Sequence, residues 1–344
     1  MTASDYPPIE DPLHWSLTDR PSGPEEKQLL KARLLLALWT STPGRDLRSS
    51  DAFLEYYLAQ RYLIRVYGLN LQTHEDVVNL ILFIRARSTV PRDDLLAQLN
   101  NDHWTWLGPA PQSAEHAVEI AVGIWLMVGV DDWAGSQTLQ EYVAALFPDK
   151  HDSSVVAAPV SLEFNAYNLH RIGGFDVVWT DCIQDHLSLI SDQTQKELRV
   201  FHVACFLQYS TYSNPSHKIF PPGFLEETIR TLALLFPAAH LDCRQWIQGA
   251  QERENVGLEA GLLLRAPRDL RNYRYWGQRL RELKDEYDRT EPTTIRQWVL
   301  DKRKPNQRYT FWIAVAALAL ALVFGLIQSV TGIVQAVAAV RGNG

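Results

Sequence analysis

The chain is poor in cysteine. Cys182, Cys205 and Cys243 are the whole supply in 344 residues. So odd and sparse a set excludes a disulfide framework and fits a reducing compartment. No Asn-x-Ser/Thr acceptor with a permitted middle residue occurs, so nothing marks a lumenal face. The N-terminal MTASDYPPIEDPLHW is acidic and proline-rich, without the basic start and apolar core of a secretory signal. Excess positive charge is missing too. The net charge is -7, which argues against a general nucleic-acid binder. A G-x-S-x-G elbow, a Cys-His protease signature, a usable S-x-x-K, a P-loop and a dinucleotide fingerprint are all absent. Gly173-Gly174 by itself is a turn signal. No cofactor is implied.

One stretch lacks charge altogether. Residues 311–340 read FWIAVAALALALVFGLIQSVTGIVQAVAAV. About 20 apolar residues rising about 1.5 Å each match a hydrocarbon core of about 30 Å. The run therefore predicts one C-terminal transmembrane helix over 310–333, followed by a short tail, 334–344. Tyr309 and Trp312 stand at its start, where amphipathic rings favour the interface. Lys302, Arg303, Lys304 and Arg308 precede it, whereas Arg341 alone follows. That asymmetry puts the preceding side in the cytosol. A span at the extreme end of a chain without a signal implies insertion after synthesis, as in tail-anchored proteins. The competing reading is a buried core helix, but such helices are rarely so long and so apolar.

The rest reads as mainly α, a helical cytosolic region with a small antiparallel β element. A mobile lead, 1–24, precedes an N-terminal helical domain, 25–147. A linker, 148–159, separates it from a second mainly helical domain with the small sheet, 160–290. A basic juxtamembrane segment, 291–309, completes the approach to the span. Helices are punctuated by their own signals. Acids open EEKQLLKARLLLALWT, and Thr73 with Asp76 makes a capping box. The run AVEIAVGIWLMVGV is too short and too polar to span a bilayer, so it predicts a buried helix over 114–128. FDVVWT (175–180), 187–190 and 198–201 predict strands. Asp269 caps a predicted long helix to Arg289, with Leu270, Tyr273, Trp276, Leu280, Leu283 and Tyr287 as its apolar seam. A short basic helix over 294–303 could lie on a membrane surface or pack on the domain.

Few residues suggest chemistry. Cys182, His186, His202 and Cys205 form two local pairs whose nitrogen and sulfur donors would suit tetrahedral zinc if they converged. Buried structural cysteines are the commoner outcome, so no metal is assigned. Glu115, His116 and Glu119 resemble half of a di-metal element but lack a partner element. Asp131-Asp132 reads as a solvated turn, and NDHWTWLG as an aromatic anchor. Arg85, Arg87 and Arg92 form a basic spot between two helices. Within the span, Ala317, Ala321, Gly325 and Ser329 recur every four residues. Small residues at that spacing let helices approach closely in lipid, so the stripe would support a homo-oligomer. An alanine-rich helix also produces such spacings by chance.

The stretches FNAYNLHRIGGFDVVWTDCIQDHL, FPPGFLEETIRTLALLFP and RYTFWIAVAALALALVFGLIQSV resemble a group of uncharacterised fungal proteins with a helical body and a C-terminal membrane segment. The resemblance implies a membrane location and transfers no catalytic or binding residue. Together these features lead to a single-pass protein of an intracellular membrane with its bulk cytosolic. Its partners would be the lipid bilayer and another protein, not nucleic acid. The leading function is a membrane-tethered interaction or scaffold protein. Two alternatives stand beside it: a membrane-anchored enzyme with an unrecognised helical active site, and a cell-death or pore-forming protein acting through its span.

Overall fold

The computed structural model describes residues 11–19, 21, 23–39, 51–101, 107–108, 110, 112–150, 159–191, 195–212, 219–258, 266–290 and 305–342. The first 150 residues supply α1 (Pro24–Trp39), α2 (Asp51–Val66), α3 (His74–Ala86), α4 (Arg92–Asn101), α5 (Ser113–Leu126) and α6 (Leu139–Leu146). Local chemistry starts several of them. At α3, Thr73 Oγ1 accepts from the Asp76 N–H at 3.2 Å, and the Asp76 carboxylate accepts from Thr73 N–H at 2.8 Å. Thr138 and Glu141 repeat this reciprocal cap at α6. α5 is buried along nearly its whole length between α2, α3 and α4. It ends at Met127, which takes the left-handed conformation with φ 53°. A side chain there is strained. The Met127 carbonyl accepts from Ile183 N–H at 2.9 Å, and Gly129 N–H donates to Gln184 Oε1 at 2.7 Å, so the turn is held by the later half of the chain.

That half contains α7 (Ala166–Arg171), β1 (Asp176–Thr180), β2 (Leu189–Ser191), β3 (Lys196–Phe201), α8 (Ala204–Tyr212), α9 (Phe224–Leu235), α10 (Leu241–Glu254) and α11 (Gly277–Arg289). The sheet order is β1-β3-β2. β2 and β3 form the antiparallel pair expected from the sequence, with Leu189 opposite Leu198. β1 joins the other edge of β3 in parallel, from Asp176 opposite Glu197 to Thr180 opposite Phe201, which makes the sheet mixed. The chain between β1 and β2 includes a 3-10 turn at Ile183–Asp185. Leu198, Val200 and Phe201 of β3 are fully buried.

Hydrophobic packing crosses the proposed linker, of which residues 151–158 lie outside those described. One core extends from Leu17 to Tyr287. Trp39 of α1 meets Phe53 edge-on at 5.1 Å and Phe206 of α8 at 6.1 Å. Phe147, just after α6, packs on Phe224 of α9 at 4.1 Å. Such aromatic contacts bind the two halves through large buried areas.

The predicted helix from Asp269 is split. Asp269 caps only a 3-10 turn, Leu270–Asn272, and α11 begins at Gly277. Between them, the buried Glu227 of α9 accepts three backbone N–H groups: Arg274 at 2.8 Å, Tyr275 at 2.8 Å and Trp276 at 2.9 Å. The carboxylate takes over donors that a continuous helix would satisfy internally. Trp276 Nε1 also donates to Thr228 Oγ1 at 2.8 Å, anchoring the break. The seam residues Leu270, Tyr273, Trp276, Leu280, Leu283 and Tyr287 are nevertheless all buried. Finally, α12 runs from Pro305 to Gly342.

Candidate functional site

Tyr309–Ala336 of α12 is the one window among the described residues long and apolar enough to cross a membrane. It covers 28 residues, its most apolar 18-residue stretch has a mean hydropathy of 2.5, and none of that stretch is buried by the rest of the protein. A core helix would be covered. At 1.5 Å per residue the window is ~42 Å long, more than a bilayer core, which tilt accommodates. Leu320, Leu322, Phe324 and Leu326 are each more than half exposed, and Trp312 lies near the start. Burying one such aliphatic or aromatic side chain is worth about 1.5–3 kcal/mol, so leaving the whole window in water is strongly unfavourable. Ala317, Ala321, Gly325 and Ser329 lie along it, all exposed, and a Cβ added at Gly325 meets nothing within 4 Å. Of the basic residues before the window, Lys302, Arg303 and Lys304 lie outside the described residues, as does the predicted 294–303 helix. Arg308 lies within α12.

The four residues considered for zinc have separate occupations. His186 is fully buried. Its Nδ1 accepts from Phe201 N–H at 3.2 Å, which leaves Nε2 as the donor to Thr231 Oγ1 at 2.7 Å. Burial, with Arg279 nearby, lowers its pKa to about 3. The ring is thus a neutral structural hydrogen-bonding group. His202 Nδ1 accepts from Gly257 N–H at 3.2 Å, while its Nε2 pairs with Asp181 at 3.0 Å. The Cys182 thiol donates to Gln184 Oε1 at 3.3 Å, and Cys205 is buried in the core. Among the described residues, no three His, Cys, Asp or Glu side chains gather as a metal site.

Cys182 and Glu119, distant in sequence, do meet in one cleft of about 360 Å³ with Tyr56, Asp181 and Met127. Burial raises the Glu119 pKa, and Asp131 adds to the shift. Burial also raises the Cys182 pKa, keeping the thiol protonated and unreactive. His116 spends its ring on a stacked contact with Tyr67 at 3.9 Å. Of the basic spot, Arg87 is likewise absorbed: it covers the Phe83 ring at 3.6 Å and donates to Gln98 at 2.8 Å. The aromatic stretch His103, Trp104 and Trp106 lies outside the described residues.

A larger cleft, about 580 Å³, opens where α3, α5 and α6 face α8 and the start of α9. Trp39, Trp125, Phe220 and Leu225 form its apolar wall, with Arg85 set into it. The sequence groups Arg85 with its neighbours in the chain and hides this wall, because Trp39 and Trp125 lie about 40 or more positions away and Phe220 and Leu225 more than 100. Glu227 and Arg279 were also invisible as network residues. Arg279 donates to the carbonyls of Gln184 and His186 at 2.7 and 2.5 Å, tying α11 to the turn before β2. No protein-family model, curated protein or solved structure matches the chain.

Proposed function

We propose that the chain is a membrane-tethered interaction protein, in which α12 fixes location and the helical body meets another protein. The carrying observation is the uncovered Tyr309–Ala336 window. Its apolar surface needs a nonaqueous partner, and a lipid bilayer supplies one along the full length. The excess of Lys and Arg before the window over the single Arg341 after it favours a cytosolic body. The resemblance to helical fungal proteins with a terminal membrane segment supports the same reading. On the body, Tyr62 and Val66 stand one helical turn apart on α2, at 71% and 55% exposure, and offer a starting point for a protein contact. The small-residue stripe through Gly325 would add self-association within the membrane.

The test uses a full-length fluorescent fusion. It should localise to an intracellular membrane, resist alkaline carbonate extraction, and leave its body open to protease in intact organelles. A diffuse signal or release by carbonate defeats the tether; a protected body reverses the orientation. Proximity labelling, compared with a version ending at Arg308, should show neighbours that depend on the span.

A further inference from the structure

We propose that the cleft between α3, α5, α6, α8 and α9 binds a single-headed anionic amphiphile, a fatty-acid carboxylate whose head meets Arg85 and whose chain lies against Trp39, Trp125 and Phe220. The site stands independently of the membrane tether. Its volume, about 580 Å³, falls within the range of about 300–1,000 Å³ typical of small-ligand pockets. Its wall is largely aromatic and aliphatic, which suits a hydrocarbon chain.

The head-group assignment comes from Arg85. The side chain is partly buried, and its Nη1 donates to the Leu38 carbonyl at 2.6 Å. Its guanidinium also faces the Trp125 ring at 5.9 Å. Among the described residues no carboxylate pairs with it, and burial lowers its pKa. A guanidinium has five N–H donors in a planar fork, so a carbonyl and a ring face leave most of its capacity unused. A largely apolar cleft whose guanidinium makes no ion pair, with the one carboxylate of its lining exposed at the rim, is complementary to a ligand that brings both an apolar body and one negative charge. Glu226, exposed on the cleft lining, limits that charge. Its carboxylate repels a multiply charged phosphate more than a monocarboxylate.

Full-length protein in phosphatidylcholine nanodiscs can be titrated with dansylaminoundecanoic acid, with the eleven tryptophans, Trp39 and Trp125 at the cleft among them, as energy donors. Saturable transfer above that of empty nanodiscs should appear, and dodecanoate should displace the probe at least about tenfold more effectively than dodecanol, from the charged hydrogen bonds involved. Arg85→Gln keeps a donor for Leu38 and should weaken dodecanoate about tenfold while leaving dodecanol unchanged. Ala144→Trp, at an exposed position of α6 on the cleft, should exclude both. Absence of saturable transfer overturns the proposal, as does equal displacement by acid and alcohol. Tighter binding of dodecyl phosphate than of dodecanoate overturns the single-charge assignment. The acid–alcohol comparison on the unmodified chain decides the matter even if a variant fails to fold, which circular dichroism would reveal.

Discussion

The body and α12 draw on much the same apolar residues and use them in opposite ways. In α9, Phe224, Leu232, Leu234 and Leu235 are fully buried, with Glu227, Thr228 and Thr231 buried beside them and bonded. In α12 the apolar residues surround the helix and none of its window is covered. A helix that is apolar on one stripe can fold against its own chain, whereas one apolar all round needs an external solvent of matching polarity. The contrast teaches that burial is not a property of residue type. It depends on whether the surface pattern leaves a polar face for water.

The strongest way to break the contrast is to give α12 charge it cannot hide. Ala319→Arg with Leu322→Arg places cations in the middle of the window. Each is expected to oppose insertion by about 2.5–3.5 kcal/mol at a bilayer centre, so the pair should release the protein into the carbonate supernatant. The melting temperature of the body should stay put, because α12 makes no buried contribution to the core. Continued integration would show that the window is not what holds the protein.

The reverse experiment strikes the body. Glu227→Ala leaves three N–H groups before α11 without their acceptor. Charged hydrogen bonds are worth about 1.5–3 kcal/mol each, but their losses overlap, so about 3–5 kcal/mol of stability should be lost. Urea unfolding followed by tryptophan fluorescence measures it, and membrane attachment of the folded fraction should persist. A loss below about 1 kcal/mol would mean that water replaces the carboxylate.

These variants also mark where sequence reasoning reaches. The cap at Thr73, the acids in the first turn of α1, the three strands and the apolar run of α12 are local patterns, and the fold carries them at nearly the expected residues. The break before α11 could not be seen that way. Its apolar seam is regular, and the reason for the break is a carboxylate 47 positions earlier. The parallel placement of β1 is equally nonlocal, since it depends on which edge of β3 remains open. Spacing within each Cys/His pair suggested a metal. Yet His186 is committed to Phe201 and Thr231, a partner contributed by α9. The aromatic wall around Arg85 is likewise assembled only by packing.

Acid sharpens the comparison further, because the body buries histidines and the window of α12 has none. Burial lowers the pKa of His186 to about 3 and of His74 to about 4. Above the unfolded value of about 6.5 both folded and unfolded states leave these rings neutral, and their full contribution is present. As pH falls from there toward 4 and then 3, the unfolded chain binds protons that the folded chain refuses, so stability is lost. Each histidine contributes a slope of at most about 1.4 kcal/mol per pH unit. His186→Gln preserves a donor and an acceptor and should flatten the pH dependence of urea midpoints between pH 4 and 6. An unchanged slope would place the acid sensitivity elsewhere.

The smallest effect tests whether the outer surface of α12 is uniform. If lipid is its only partner, Gly325→Ile adds apolar area at a place where a Cβ meets nothing within 4 Å, and nothing should change except a slightly stronger preference for the bilayer. If the Ala317, Ala321, Gly325 and Ser329 stripe seats a second copy, the same branched side chain holds the two backbones apart. Dimer signal in a membrane reporter assay should then fall about fivefold, corresponding to roughly 1 kcal/mol. Leu322→Ile changes shape at a position outside the stripe and should leave the signal alone. Equal behaviour of both variants would reject the stripe while sparing the span, since a helix can be lipid-facing on every side and still hold a body in place.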